Sequence, residues 1–502
     1  MQPPAATAVA STAAASAIMP APPPDAFGAR AEWLRKGLLA AVLACGLAAC
    51  FFYTFNHDAA YILYNAGQIL QGYRLYVDLP EINPPLIVWL NLPVAGLARW
   101  LGADPALLFR LCMLALALLA VGWSAWLLRA WAGRDALTAW LATGLYAALL
   151  APAYSFGQRE HIAFLCSLPY LAEAARRIDG AAAARAAQLA AAAFATLGLA
   201  LKPHFLLVPL LVEAIALYRL RRPGVGVAAA ALLLPAYLLA VWLVVPQYLD
   251  TLRMFSAAYA GLAASWTSLL GTPEFYATAL LALASALARP RHPLARVAWA
   301  AVAGFALAAV IQRKGFSYHW VAAMASAWLL AGLAVVSATA HRSRQGVGLA
   351  PLIIAAVVAV LSVLALARAV VAGPRVNPNP SYLGPVIREL GGGPVMIFST
   401  AEVSFPLVLE PGIGTSTRYA TWTGLPPVLA AGNRAAIAAF HRGMAEDFAR
   451  RPPRLLVVQT DRQGVPVIDF IRLFTPDAPG LAQYRVVRQL NGFQVLQAPV
   501  NR

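Results

Sequence analysis

The sequence predicts a polytopic α-helical membrane protein of about eleven spans, with a small α/β domain at its C-terminal end. Three observations carry that prediction. The 502-residue chain is 61% hydrophobic and only 12% charged, whereas a soluble domain is about half apolar and about a quarter charged. Many of its apolar runs reach the roughly 18 to 20 residues that cross a bilayer core. They are Leu/Ala-rich rather than alternating, which argues against a β-barrel. Near Asn377 the composition changes, and short apolar runs bounded by Gly and Pro replace the long ones.

From the N-terminus, residues 1–34 read as a disordered cytoplasmic tail. They are Ala/Pro/Ser-rich, nearly uncharged through residue 30, and lack the basic segment and short apolar stretch of a signal peptide. The expected spans are 37–55, 106–128, 135–153, 161–175, 182–200, 205–218, 226–245, 274–288, 297–311, 318–338 and 348–370. With the N-terminus inside, the basic clusters fall on one side. They are Arg35/Lys36, Arg129 with Arg134, Arg176/Arg177/Arg185, Arg219/Arg221/Arg222, Arg289/Arg291/Arg296 and Arg342/Arg344. Cytoplasmic loops are enriched in this way. The net charge of +17 is thereby accounted for by orientation and membrane lipid. No basic domain or binding motif points to nucleic acid.

One apolar segment is set apart. "PPLIVWLNLPVAGLARWLG" (84–102) is greasy enough to span, but counting it would move Arg129 and Arg134 outside. It is therefore expected to lie along the outer interface or re-enter it, with Trp89 and Trp100 at the boundary. The first outer loop then covers 56–105 within a membrane domain of 35–373. The remaining residues, 374–502, are expected to form the outer α/β domain. "GGPVMIFST" and "PPRLLVVQT" read as buried strands, "NRAAIAAFHRGMAEDFARR" as an amphipathic helix, and "YRVVRQLNGFQVLQAP" as a hairpin about Asn491-Gly492. "ELGGGP" reads as a helix stop leading into a strand. Cys45, Cys50, Cys112 and Cys166 lie in or beside apolar runs without metal-site spacing, and read as packing residues.

The chemistry-bearing residues gather on the expected outer side. "YSFGQRE", "LKPH" and "QRKGFS" bring Arg159, Glu160, Lys202, His204, Arg313 and Lys314 to that boundary, followed by His319. Cations there break the charge rule, and ionisable groups at membrane depth usually face a cavity or a partner. The stretch "HDAAYILYNAGQILQGYRLYVDLPEINPPL" (57–86) adds an amphipathic helix with Asp58 at its N-terminal end, where a carboxylate is favourable. Asp78 and Glu81 follow on a loop.

The order of features in this stretch resembles the GT-C superfamily of membrane glycosyltransferases. An Asp follows the first span, then a Tyr-rich helix ending in Leu-x-Gly, then Tyr-x-Asp, then an acid shortly before Pro-Pro-Leu. It is most similar to bacterial relatives of dolichyl-phosphate-mannose protein mannosyltransferases and of lipid A aminoarabinose transferases. The layout of about eleven spans with a C-terminal extracytoplasmic domain is GT-C-like too. The resemblance implies a hexosyl- or pentosyltransferase of the bacterial inner membrane, N-terminus cytoplasmic and C-terminus periplasmic. It would move sugar from a polyprenyl-phosphate donor to a glycan, lipid or protein acceptor. Asp58 stands in the place of the family's catalytic carboxylate. Two positions depart from the pattern: Ala59 where many relatives have Glu, and Asn83 where many have Lys before Pro-Pro. The second removes an expected phosphate contact.

The chemistry asks for the same parts. A carboxylate can serve as base toward an acceptor hydroxyl, and pre-placed cations stabilise the charge on a departing phosphate. That assigns Asp58 as base, and Arg159, Lys202, Arg313 and Lys314 as candidates for phosphate and sugar. Asp78, Glu81, Glu160, His204 and His319 complete the substrate-binding set. Plainer roles stand beside these: Asp58 as a helix cap, Arg159 and Glu160 as an ion pair, and the lysines snorkelling to headgroups. His161, His204 and His319 with Asp78 leave a divalent cation, Mg²⁺ or Mn²⁺, open, although none shows close ligand spacing. No Gly-x-Gly-x-x-Gly or Walker loop points to a nucleotide donor. A lipid-sugar flippase or transporter is the alternative. It would place ionisable groups near the bilayer midplane, whereas here they gather at one face.

Overall fold

A computed structural model describes residues 26–261, 263–340, 349–372, 382–399, 403–419, 432, 434–460, 467–476, 480–490 and 492–499. The tail up to residue 25, Arg342, Arg344 and Asn491 lie outside the described residues. The membrane region is helical throughout. Its elements are α1 (Ala26–Phe52), α2 (His57–Ile69), α3 (Pro85–Leu101), α4 (Pro105–Leu128), α5 (Arg134–Leu149), α6 (Arg159–Ile178), α7 (Arg185–Leu199), α8 (Leu207–Leu220), α9 (Val225–Val244), α10 (Gln247–Gly261), α11 (Trp266–Leu270), α12 (Pro273–Ala288), α13 (Pro293–Gln312), α14 (Val321–Ala340) and α15 (Leu349–Ala372).

Each expected span falls on one of these helices. Among the described residues, seven (α1, α4, α8 together with the 3₁₀ turn Pro203–Leu206 that leads into it, α9, α13, α14 and α15) are long and apolar enough to cross a membrane. Helices α5, α7 and α12 have 16, 15 and 16 residues, and α6 is interrupted by charge at both ends. Lipid-facing surface is plain on α9, α12 and α15, which turn Leu232, Leu243, Leu280, Leu287, Val360 and Leu364 outward. Inside, small residues bring helices together. A Cβ added at Gly304 of α13 would lie 2.8 Å from the Val208 backbone of α8.

The two ends of the bundle differ chemically. At one end Arg35 donates to Thr138, Arg134 approaches Glu32, Trp131 donates to Asp179, and His292 meets the Ala132 carbonyl. At the other end lie Asp58, Arg159, Lys202 and Gln312. Helix α3 keeps both its ends there. Asn83, just before it, accepts from Arg159, while Gly102 and Ala103, just after it, share a groove with Val408 and Leu409.

The C-terminal region is a small α/β domain. It contains α16 (Leu383–Glu389), β1 (Gly393–Phe398), β2 (Ile413–Thr415), α17 (Arg434–Arg450), β3 (Leu455–Gln459), α18 (Val467–Phe474), β4 (Arg485–Leu490) and β5 (Phe493–Gln497). The sheet order is β2-β1-β3-β5-β4. Strand β1 is parallel to both neighbours, with Val395 opposite Leu455, and the β4–β5 hairpin is antiparallel. Strand alternation splits the core. Met396, Phe398, Leu456 and Val458 face α17 and α18 residues such as Met444, Phe448 and Ile471; Val395, Ile397, Leu455 and Val457 face Leu383 and Ile387 of α16. A third apolar surface joins this domain to the membrane core through Phe405 and Val408.

Candidate active site

Asp58 is the second residue of α2, and its neighbour Asn56 frees it from capping. The Asn56 side chain accepts from the Ala59 amide at 3.2 Å and so takes the cap. Asn56 is itself held by Gln158, whose amide donates to Asn56 Oδ1 at 2.8 Å and to Asp58 Oδ2 at 3.1 Å. Arg159 Nη2 lies 3.4 Å from the same carboxylate oxygen. The other oxygen, Oδ1, is 3.6 Å from His57 Nδ1. Desolvation favours the neutral acid, but His57 and the charge of Arg159 outweigh it and hold the Asp58 carboxyl well below the usual carboxylate range. A third of its side chain, 34%, stays exposed.

Arg159 and Glu160 open α6, and the turn before them is tightly constrained. Gly157 has φ +85°, and a Cβ there would lie 2.5 Å from the Phe109 ring. The next link is Asn83, whose side-chain oxygen accepts from Arg159. Its own amide nitrogens, backbone and side-chain, donate to Glu81 Oε1 at 2.8 and 2.7 Å. Asn65 donates to the other Glu81 oxygen at 3.1 Å. Burial pushes the Glu81 carboxyl up to about 7. The replacement of Lys by Asn at position 83 is thus more than a lost phosphate contact. A cation there would face Arg159, whereas the amide holds it.

On the other side, Glu160 accepts from Lys202 Nζ at 2.5 Å, and Gln312 accepts from the same ammonium at 2.8 Å. Pro203 disfavours helical backbone at the preceding residue. Lys202 is accordingly extended and turns off the end of α7 toward α6. His319 lies in a short 3₁₀ turn, its Nε2 3.8 Å from Glu160 Oε1 and its ring edge-on to Tyr318. Both ring nitrogens of His57 and of His319, and Oε2 of Glu160, are buried without a hydrogen-bond partner among the described residues.

One network therefore contains Asp58, Glu81, Arg159, Glu160, Lys202 and His319. Other expected site residues lie elsewhere. Asp78 is bound by Arg74, whose Nε lies 3.0 Å away, and that hydrogen bond holds the Asp78 carboxyl below its ordinary value. Arg313 caps α13 with φ +48° and stacks over Trp266 at 5.3 Å. Lys314 is half-buried on the same loop. His204 sits in the turn after Lys202, with a buried Nδ1. His161 is structural: it accepts from the Gly157 amide at 3.1 Å and meets the Ala148 carbonyl at 2.8 Å. Among the described residues, no three of His, Cys, Asp and Glu are grouped to hold a metal ion. The residues that sequence reasoning missed are four amides and a histidine: Asn56, Asn65, Gln158, Gln312 and His57. Gln158 and Gln312 lie in "YSFGQRE" and "QRKGFS", and His57 and Asn65 in the stretch 57–86, where the charged neighbours drew the attention.

Comparison with solved structures places the fold. ArnT from Cupriavidus metallidurans, solved bound to undecaprenyl phosphate, matches 93% of this chain and 98% of its own, with a TM-score of 0.58 at 15% identity. The arabinofuranosyltransferase AftD from Mycobacteria matches 92% of this chain and 40% of its own, with a TM-score of 0.41 at 15% identity. No family model and no curated protein matches the chain. The helical membrane fold with a small C-terminal sheet domain expected from the sequence is the fold found, and it is shared with ArnT.

Proposed function

We propose that this protein is a glycosyltransferase that moves a sugar from a polyprenyl-phosphate carrier to an acceptor. The reaction would take place at the Asp58 end of the bundle, on the periplasmic face of the bacterial inner membrane. One observation carries the reading: a partly exposed carboxylate, two cations and three buried side chains with unpaired polar atoms meet from segments around residues 58, 159, 202 and 319. The fold shared with ArnT, whose structure holds undecaprenyl phosphate, supports the donor class. The gathering of Arg35, Arg134, Arg176 and Arg177 at the opposite end supports the orientation.

In the proposed step, Asp58 takes the proton of the acceptor hydroxyl or amine, and that atom bonds to the anomeric carbon. The bond from that carbon to the phosphate oxygen breaks, and the lipid phosphate leaves with the electron pair. Arg159 suits phosphate by its planar fork and Lys202 as a point charge. Both stabilise the leaving charge more than the ground state. Before the donor arrives Arg159 is shared with Asp58, so phosphate at the guanidinium frees the carboxylate to act as base. Attack opposite the leaving group inverts the anomeric centre.

The test uses purified protein in nanodiscs with undecaprenyl-phosphate-linked hexoses and pentoses, with and without a chelator. Asp58→Asn is expected to lose on the order of 10²–10⁴ in turnover while still binding undecaprenyl phosphate. Full activity in that variant, or a product of retained configuration, would remove Asp58 as base. The chelator arm decides the divalent-cation requirement.

A further inference from the structure

We infer that Phe405 of the C-terminal domain is a positioning residue for Asp58, acting through His57, so that the docked domain is part of the active centre. The inference rests on the reading of Asp58 as the base. Its geometry is independent of that reading.

His57, Tyr61 and Tyr64 occupy positions i, i+4 and i+7 of α2 and so form one stripe. The Phe405 ring packs on all three, with centroids 5.6, 5.4 and 5.5 Å away, edge-on to His57 at 83°. Phe405 is fully buried and belongs to the membrane-region core, not to either core that the domain builds on its own sheet. Its burial therefore serves docking rather than the folding of the sheet. Val408 joins the same core, and Leu409 packs against it.

His57 is what makes the contact bear on chemistry. Its backbone amide is fixed by the Tyr154 hydroxyl at 3.2 Å. Its ring is buried, yet neither nitrogen has a hydrogen-bond partner among the described residues. Apart from its 3.6 Å approach to Asp58, such an imidazole keeps its rotamer by packing, and Phe405 contributes that packing. The ring lies beside Asp58 Oδ1, the oxygen that neither Gln158 nor Arg159 holds. Removing Phe405 releases the imidazole, and the carboxylate then loses the ring that stands 3.6 Å from Oδ1 and keeps its hydrogen bonds at Oδ2.

The experiment compares wild type, Phe405→Ala and Phe405→Leu as full-length protein in nanodiscs, on the same undecaprenyl-phosphate sugars. Phe405→Ala is expected to lose on the order of 10²-fold in kcat, the scale of a misplaced reacting group. KM and undecaprenyl phosphate affinity should stay within about threefold, because Arg159 and Lys202 are untouched. Phe405→Leu, which keeps the bulk, should recover most of the rate and guards against a folding defect.

A pH profile supplies the readout that a loss of packing alone would not move. Asp58 faces His57 on α2 and Gln158 and Arg159 before and in α6, with Lys202 and His319 further off. With His57 displaced, the limb of kcat set by Asp58, which lies below the neutral one set by Glu81, moves up toward the usual carboxylate range. Wild-type kcat and an unmoved limb in Phe405→Ala overturn the inference and leave the transferase reading standing. A wild-type protein inert toward every donor removes that reading, and this inference with it.

Discussion

Helix α6 has a charged cluster at each of its ends. At the last turns Arg177 donates to Glu213 at 2.7 and 3.4 Å and approaches Glu173 at 3.5 Å, while Tyr170 donates to Glu213 at 2.9 Å. Two helices, α6 and α8, supply all four groups. The first turn is assembled differently. Arg159 is shared between a third-exposed carboxylate and a neutral amide, Lys202 spans Glu160 and another amide, and the partners come from four other parts of the chain. Apart from one Glu173 oxygen, the far cluster is satisfied, whereas His57, His319 and Glu160 leave polar atoms unpaired. A charge neutralised at short range by charge has little field left for a ligand. Lys202 is matched by Glu160 in the same way, but Arg159 is divided between a partly exposed carboxylate 3.4 Å away and an amide, and so keeps more of its own. The far cluster therefore reads as a lock between helices, and the near one as a site.

The comparison breaks first at the lock. Arg177→Ala leaves buried Glu173 and half-buried Glu213 without their cation, and breaking a buried pair costs about 3–5 kcal/mol. Thermal unfolding in detergent should show a large drop in Tm, while turnover per folded molecule stays within about twofold. A stable but inactive variant would show that the lock takes part in chemistry. The opposite split is expected next, from Arg159→Ala. Removing one preorganised donor costs about 10²–10³ in turnover, or roughly 2.7–4 kcal/mol; Asp58, a third exposed, keeps its hydrogen bond from Gln158, so Tm should fall less than in Arg177→Ala. If Arg159→Ala instead unfolds the protein at wild-type specific activity, the two clusters have been assigned the wrong way round.

The sequence made the fold legible but not the partners. Helix positions follow from apolar runs that any bilayer would select, and strand β1 from "GGPVMIFST" bounded by glycines. Arg159 and Lys202 stood out because cations at that boundary break the charge rule. Asp58 and Arg159 are about a hundred residues apart, however, and nothing local says that they touch. The capping role written into Asp58 passed to Asn56 because a side chain just before the helix reaches its free amides better. Asp78 was legible in a way that went unused: Arg74 stands four residues upstream and takes it. Neutral amides were the real blind spot. Gln158, Gln312 and Asn83 carry no charge to draw attention, yet they hold the charged groups in place.

Glu81 tests whether those amides matter, through a smaller effect. The ionised carboxylate accepts both Asn83 nitrogens, which turns the Asn83 oxygen toward Arg159. Its carboxyl is pushed up to about 7 by burial, so the ionised form is lost as pH falls through neutrality. Turnover should then fall by several-fold between pH 8 and pH 6. Glu81→Gln, neutral throughout, should remove that limb and show at pH 8 about the rate that wild type shows at pH 6. Stability runs the other way. Between the ordinary carboxylate range and about 7, the folded protein keeps a proton that the unfolded chain gives up. The stabilisation from this group is therefore full at low pH and lost as pH rises through that window. The Tm of Glu81→Gln should accordingly fall less than that of wild type from pH 5 to pH 8. A neutral limb that survives in Glu81→Gln would place the titrating group elsewhere and leave Asn83 without a role in holding Arg159.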